Sequence, residues 1–439
     1  MSLRANKRYH IITIGCQMNK ADSERLAAFL ESQDYREAAR AKAADLLLIN
    51  TCGVRQAAED RVYGLATSVK RENPAGKIVI TGCLSQREDV KKRLAGCADL
   101  FLPINEMFRL PELLAGEKLK PYFSLDAVRK RQGEKYLTIT PKLSTRFSAY
   151  VPIGNGCDNF CAYCVVPYVR GREVYRPAED IIKEVEALIK TGYKEIYLLA
   201  QNVNSYRDRD YDFPRLLTTL SRFPGRFWLR FFSSHPKDMN DKLIKALAAS
   251  PKICRHLHLP VQAGDDAVLK AMNRHYTISH YQSLIKKARR AKPGLAVTTD
   301  VIVGFPGETK KQFLATAKLF REVKFDLAYI APYSPRPQTA AYRLKDDVDR
   351  EEKRRRFKVL TDILKKTALA NNRKYLGQTV TVLVEGKNRA GKYYGRTDSY
   401  KTVLFTAENF RRKKKSLIGE FAEIEIKTAY DFGLAGVLK

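Results

Sequence analysis

The sequence predicts an α/β protein in three parts. An N-terminal parallel sheet covered by helices comes first, a central partial (β/α) barrel second, and a small OB-like β-barrel last. Three observations carry this. Short runs rich in Ile, Leu and Val alternate with longer polar segments of helical period through the first two parts. Six such strand–helix units fall in the middle, enough for an open barrel. The remainder changes to five short strand-like runs between glycine or charged turns. The parts are expected at residues 1–120, 143–371 and 372–439, with a linker at 121–142.

In the first part, "YHIITIGC", "ADLLLINTC" and "KIVITGC" each end on a cysteine, Cys16, Cys52 and Cys83, and each precedes a helical segment. Ligands in parallel sheets bind where strands end at the carboxyl edge. Crossover connections bring all those ends to one side, so the three cysteines can converge. Three unrelated buried thiols are the plain alternative, since free Cys is among the most buried residue types. The repeated placement favours a ligand set. A basic stretch near residues 117 to 146 connects onward and is expected to hold one strand.

The central strands are read as "SAYVPIGNGC", "EIYLLAQNVNSY", "FWLRFFSSHP", "HLHLPVQAG", "AVTTDVIVGFPGE" and "FDLAYIAPYSP". Polar residues gather at their ends, where barrel active sites lie. His256 and His258 alternate on one strand and are expected to pack inward. Tyr206 and Tyr333 are expected mainly in core packing, and Cys97 and Cys254 as buried thiols. The last part, from Asn372 on, holds 14 Lys+Arg against 7 Asp+Glu, with the densest basic run at Arg411, Arg412, Lys413, Lys414 and Lys415. That run is a candidate RNA contact.

Composition bounds the partners. The 439 residues are 44% apolar and carry 80 Lys+Arg against 48 Asp+Glu, a formal net charge of +32. Such an excess favours a polyanion, nucleic acid before an anionic membrane surface. No apolar run approaches the length of a spanning helix, about 18 residues. The basic N-terminus has no apolar segment behind it, so neither a signal peptide nor a membrane is expected. The chain is expected in the cytoplasm, with its eight cysteines as thiols or metal ligands.

"GNGCDNFCAYC" places Cys157, Cys161 and Cys164 in a Cys-x3-Cys-x2-Cys pattern after the first barrel strand. Three thiolates can hold a four-iron cluster and leave one iron open, which is where a substrate can coordinate. A zinc site would need a fourth ligand, and the nearest histidine in sequence is His235. The pattern resembles that of the radical S-adenosylmethionine superfamily. The resemblance implies that S-adenosylmethionine binds the open iron, is cleaved after one-electron reduction, and yields a 5′-deoxyadenosyl radical. It also implies that Tyr163 lies near the adenine of that cofactor, and "VGFPGE", with Gly304, resembles the strand end lining the same adenine. Gln201, Asn202, Ser234 and Gln262 stand at strand ends as further cofactor contacts, or alternatively as helix caps or loop ties.

From about residue 8 to the end, "GCQMNKADSERL", "NTCGVRQAAE", "CAYCVVPYVRGRE", "QNVNSY", "SSHP", "HLHLPVQAG" and "YSPRP" resemble the methylthiotransferase family. That resemblance implies a second 4Fe–4S cluster on Cys16, Cys52 and Cys83, a radical barrel, and a C-terminal TRAM domain that binds RNA. The branch most resembled methylthiolates dimethylallyladenosine at position 37 of tRNA, in the anticodon stem-loop. A branch acting on threonylcarbamoyl-adenosine at that position is the nearest alternative. An RNA-binding protein with structural or redox-sensing clusters is the alternative of another class. A low-potential electron donor of flavodoxin or ferredoxin type is implied, and a monomer is expected. Ala263, Asn155 and Gln338 depart from the family pattern, which has Ser, Glu and Gly there. For two clusters to cooperate, the carboxyl edge of the N-terminal sheet must pack over the barrel mouth.

Overall fold

The computed structural model of the chain describes residues 7–53, 56–116, 135–407 and 416–439. Strands β1 (Arg8–Ile14), β2 (Arg36–Glu37), β3 (Leu46–Thr51), β4 (Lys77–Gly82) and β5 (Leu100–Leu102) form one sheet in the order β2-β1-β3-β4-β5. Every pairing is parallel. The centre strand β3 is buried along its whole length, as expected of an apolar run covered on both faces. Its residues alternate: Leu46 and Leu48 enter one core with Tyr9, while Leu47 and Ile49 enter the other with Ile78 and Ile80. Strands β2 and β5 add two edges the sequence reading lacked. At two and three residues they are too short to show a period.

Most of the connecting stretch expected to hold one strand, residues 117–134, lies outside the described residues. Residues 135–137 form a helical turn, and no strand occurs between residues 135 and 147. Tyr136 is fully buried there and donates its hydroxyl to Asp22 of the helix Gln17–Ser32. A tertiary anchor overrides the β-branched residues that follow it.

The barrel begins with β6 (Ser148–Pro152). A loop carrying Cys157, Cys161 and Cys164 follows, closed by the antiparallel pair β7 (Gly154–Asn155) and β8 (Val174–Tyr175). Next come β9 (Glu195–Leu199), the hairpin β10 (Arg207–Asp208) and β11 (Tyr211–Asp212), then β12 (Trp228–Phe231), β13 (His256–His258), β14 (Ala296–Val303) and β15 (Leu327–Pro332). Parallel pairing gives β6-β9-β12 and β13-β14-β15, and a parallel bridge from Leu229 to Ile253 joins the halves. The result is six parallel strands with open edges at β6 and β15, the expected partial barrel. His256 and His258 point the same way, each ring nitrogen 2.9 Å from Thr298 Oγ1.

Helix Arg350–Arg373 leads into a closed five-stranded barrel, β16 (Thr379–Lys387), β17 (Tyr393–Thr397), β18 (Thr402–Thr406), β19 (Phe421–Tyr430) and β20 (Gly433–Leu438). It docks under the amino-terminal ends of the central strands. Fully buried Arg230 donates to Glu195 Oε1 (2.6 Å) and to the carbonyls of Thr397 (2.6 Å) and Asp398 (2.9 Å). Lys401 reaches Asp326 at 2.6 Å. Tyr400 stacks on His256, ring centres 4.7 Å apart, and so closes the barrel floor. The basic run Arg411–Lys415 lies outside the described residues.

Candidate functional site

Adjacent strands put the N-terminal cysteines in register. Cys52 N–H donates to the Ile14 carbonyl and Cys83 N–H to the Thr51 carbonyl, both at 2.9 Å, continuing the ladder across β1, β3 and β4. Cys16 starts the helix Gln17–Ser32, its thiol donating to Asn19 Oδ1 at 3.4 Å. Cys52 and Cys83 are buried. Cys16 is exposed as a residue but sits in a concave surround, so desolvation raises its thiol first. Arg170 lowers it, and Cys83 and Asp22 raise it again.

The barrel loop is built around Gly156. Its φ is +83°, and a Cβ there would stand 2.1 Å from the Arg172 carbonyl oxygen, so only glycine fits. Gly156 N–H donates to Gln201 Oε1 at 2.6 Å, which ties the loop to the end of β9. Cys164 N–H donates to the Cys161 carbonyl at 2.9 Å. Asn159 Nδ2 lies 3.4 Å from Cys157 Sγ, and Arg274 Nη1 lies 3.7 Å from Cys161 Sγ. Burial pushes the Cys157 thiol up to about 12. Burial also raises Cys164, as do Cys161, Cys157 and, from the other domain, Cys83.

Arg170 links Cys83 to Asn155, which stands just before the barrel loop that carries the second trio. The buried Arg170 side chain donates to Cys83 Sγ (3.4 Å), Asn155 Oδ1 (3.0 Å) and Asp22 Oδ2 (2.6 Å). Cys83 packs against Val165 and Val169, and Gln86 donates to the Val169 carbonyl at 2.8 Å. The carboxyl edge of the N-terminal sheet therefore faces the barrel mouth. Beside the junction opens a cavity of about 690 Å³, lined by Gly53 and Gln56 of one domain, Cys164 and Gln262 of the other, and Phe432 of the third. Arg336 lines it too, donating to Gln56 (2.9 Å) and Glu59 (2.8 Å), close enough to Cys52 for their charges to interact.

Among the described residues, no three His, Cys, Asp or Glu side chains converge on a single metal ion. The six thiols are instead set as two groups, three at one sheet edge and three in one loop, a soft donor set suited to iron–sulfur coordination, where a bound metal would deprotonate each thiol. Three buried polar atoms at the barrel mouth lack hydrogen-bond partners among the described residues: Asn202 Oδ1, Ser234 Oγ and His235 Nε2. Each such orphan costs about 1–3 kcal/mol unless a ligand meets it.

The other sequence candidates fall as follows. Asn202 Nδ2 donates to Asp238 at 2.7 Å, and Tyr163 Oη accepts from Arg274 at 3.3 Å while lining the cavity. Gln262 adopts φ +69° at the cavity wall. Gly304 N–H donates to Glu308 Oε2 (2.6 Å), and a Cβ there would strike Lys353 Cγ at 2.4 Å, so its glycine admits the long helix. Gln338 also has positive φ, +73°, the region that favours glycine. Tyr206 and Tyr333 are buried, the latter at the cavity. Cys254 is buried, but Cys97 is only half-buried, 3.7 Å from Thr67 Oγ1, because its helix end borders solvent. Sequence reasoning missed Arg170, Arg274, Arg336 and the role of His235. The basic residue beside "CAYCVVPYVR" was the one available signal.

Burial, then Arg274, Lys237 and His275, pushes His235 down to about 2. A depressed histidine stabilises the fold above its unfolded value, near 6.5, and that stability is lost as pH falls towards 2. Between pH 7 and pH 5 His235 should contribute a loss of roughly 2 kcal/mol. Urea unfolding of wild type and His235→Gln at both values checks this; an equal pH dependence would contradict it.

Together the open six-stranded barrel and its three-cysteine loop define a radical S-adenosylmethionine protein. The profile of the Radical SAM superfamily matches residues 151–320, that of an uncharacterized protein family, UPF0004, residues 8–102, and that of the TRAM domain residues 373–439. Solved structures share the fold: the radical S-adenosylmethionine methyltransferase TsrM from Kitasatospora setae (TM-score 0.57, 15% identity, 76% of this chain and 75% of that one) and the cobalamin-dependent radical enzyme OxsB (0.52, 11%, 82% and 56%). More particularly, the chain belongs to the family of tRNA-2-methylthio-N(6)-dimethylallyladenosine synthases. The relative of that name from Carboxydothermus hydrogenoformans is 41% identical over 99% of this chain and all of its own length, and that from Clostridium tetani 39% identical over 98% and 95%. Among the described residues, no helix is long and apolar enough to cross a membrane.

Proposed function

We propose that this chain replaces the carbon-2 hydrogen of N6-dimethylallyladenosine at position 37 of tRNA with a methylthio group. The observation that carries the reading is a cavity lined by Cys164 of the barrel loop and by Gly53, next to Cys52, of the N-terminal domain. Its volume, about 690 Å³, suits one modified base, and its far wall is apolar, with Val165, Ile302, Ala328 and Ile330. Such a wall fits a dimethylallyl tail better than a carboxylate-bearing threonylcarbamoyl group.

Cys157, Cys161 and Cys164 would hold one 4Fe–4S cluster, and Cys16, Cys52 and Cys83 a second. Bound at the first, S-adenosylmethionine would supply a radical able to take hydrogen from an unactivated C–H bond. The protein's own part is placement. Gln201 holds the barrel loop through Gly156. The unpaired atoms of Asn202, Ser234 and His235 would receive polar groups of the cofactor. Tyr163, Gln262 and the Gly304 strand end complete the candidate cofactor contacts. Arg170 and Arg336 latch two helices of the N-terminal domain to the barrel, through Asp22 and Glu59. Bases of an anticodon loop are unpaired, so turning one into the cavity costs little. The working form is read as a cytoplasmic monomer served by a low-potential donor of flavodoxin or ferredoxin type.

Mass spectrometry of tRNA nucleosides from cells lacking this protein tests the reading. Loss of the methylthio group from dimethylallyladenosine alone is the expected result. Loss from threonylcarbamoyl-adenosine instead would assign the other substrate.

A further inference from the structure

We propose that the outer face of the central barrel carries a separate phosphate-binding track for the substrate tRNA, in the groove between helices Phe213–Ser221 and Asp241–Ala248. This rests on the tRNA reading above, but on different residues. The groove has a volume of about 960 Å³ and is lined by six cations, Arg207, Arg209, Arg215, Arg222, Lys242 and Lys245, all exposed. Only two carboxylates, Asp210 and Asp212, line it with them.

Of the two, the Asp212 carboxylate is engaged. Asp212 caps its helix by accepting from Arg215 N–H at 2.9 Å. Arg215 is held in place, its Nη1 donating to the Asp210 carbonyl (3.0 Å) and its guanidinium 4.7 Å from the Tyr211 ring centre. Arg209 has a loose, exposed pair with Glu179 at 3.9 Å. Arg207, Arg222, Lys242 and Lys245 form no ion pair among the described residues. Exposed like charges in one concave strip repel one another, and a polyanion relieves this while releasing its own counterions.

The course of the groove selects RNA over an acidic protein. At one end, the β10–β11 hairpin follows directly from Asn202 and Tyr206 at the barrel mouth. At the other end, just past Arg222, Arg226 donates to Glu423 (3.3 Å) and lies 4.8 Å from the Phe421 ring of the C-terminal barrel. The track thus runs between the mouth and the TRAM domain. A backbone that spans both would lie along it.

The test compares wild type with the combined variant Arg215→Glu, Arg222→Glu, Lys245→Glu, using full-length tRNA that carries dimethylallyladenosine. Binding is measured by fluorescence anisotropy from 50 to 300 mM salt. The variant is expected to bind at least tenfold more weakly, with a salt slope shallower by about three, one per lost phosphate contact. Arg215→Lys with Arg222→Lys keeps the charge and should keep the slope. Cleavage of S-adenosylmethionine with dithionite and no tRNA should match wild type, showing an intact barrel. Equal affinity and slope in wild type and charge-reversed protein would overturn the proposal. So would a defect confined to reduction by flavodoxin, which would assign the groove to an acidic protein. Failure of the function reading shows elsewhere, in the nucleoside profile of cells lacking the wild-type protein.

Discussion

Cys157→Ala is expected to abolish 5′-deoxyadenosine formation in anaerobically reconstituted, dithionite-reduced protein, whereas Cys52→Ala should retain it and lose only the methylthiolated product. The two thiols sit on different elements: Cys157 in the loop between β7 and β8, Cys52 at the end of β3. Each trio sits on backbone of its own domain, so removing one ligand should leave the other trio in place. Iron content should fall by about half in each variant if each trio holds one four-iron cluster. Identical behaviour of the two variants, in product and in iron, would refute the division of labour between the trios.

Arg170→Met should be the most destabilising single change at the domain junction. Arg170 and Asp22 form an ion pair whose side chains are 3% and 0% exposed, 2.6 Å apart. Removing one partner of such a pair strands the other charge in a dry interior and costs about 3–5 kcal/mol. Asp22 keeps Tyr136 as a donor, which softens the loss. The double variant Arg170→Met, Asp22→Leu should recover most of it, because no charge is then left buried. Urea unfolding midpoints of the three proteins decide this. A single variant as stable as wild type would mean that the pair is not closed in solution. Because Arg170 also donates to Cys83 and Asn155, the single variant should loosen the contact between the cysteine trios as well.

The cysteine trios stood out in the sequence as candidate ligands because each is tied to a local pattern. Cys16, Cys52 and Cys83 each follow an apolar run, and parallel connectivity leaves one edge for all three. Cys157, Cys161 and Cys164 lie within eight positions. Arg170, Arg274 and Arg336 were not legible as site residues. Their partners Asp22, Pro260 and Glu59 lie on other elements, in two cases on another domain. An arginine in sequence looks the same whether it is solvated or buried against a carboxylate. Residues 137–140, "LTIT", have strand propensity yet form no strand, because burial of Tyr136 sets the local backbone.

By itself, the sequence determined the class of chemistry and the three-part architecture and marked six cysteines as candidate ligands, since spacing and hydrophobic period are properties of neighbours along the chain. Only the tertiary structure decided that the two trios share a junction, that Tyr400 of the third part closes the barrel floor, and that six cations line one outer groove. Those are distances between residues far apart in the chain. They follow from how buried charges and apolar faces find partners, which no local pattern encodes.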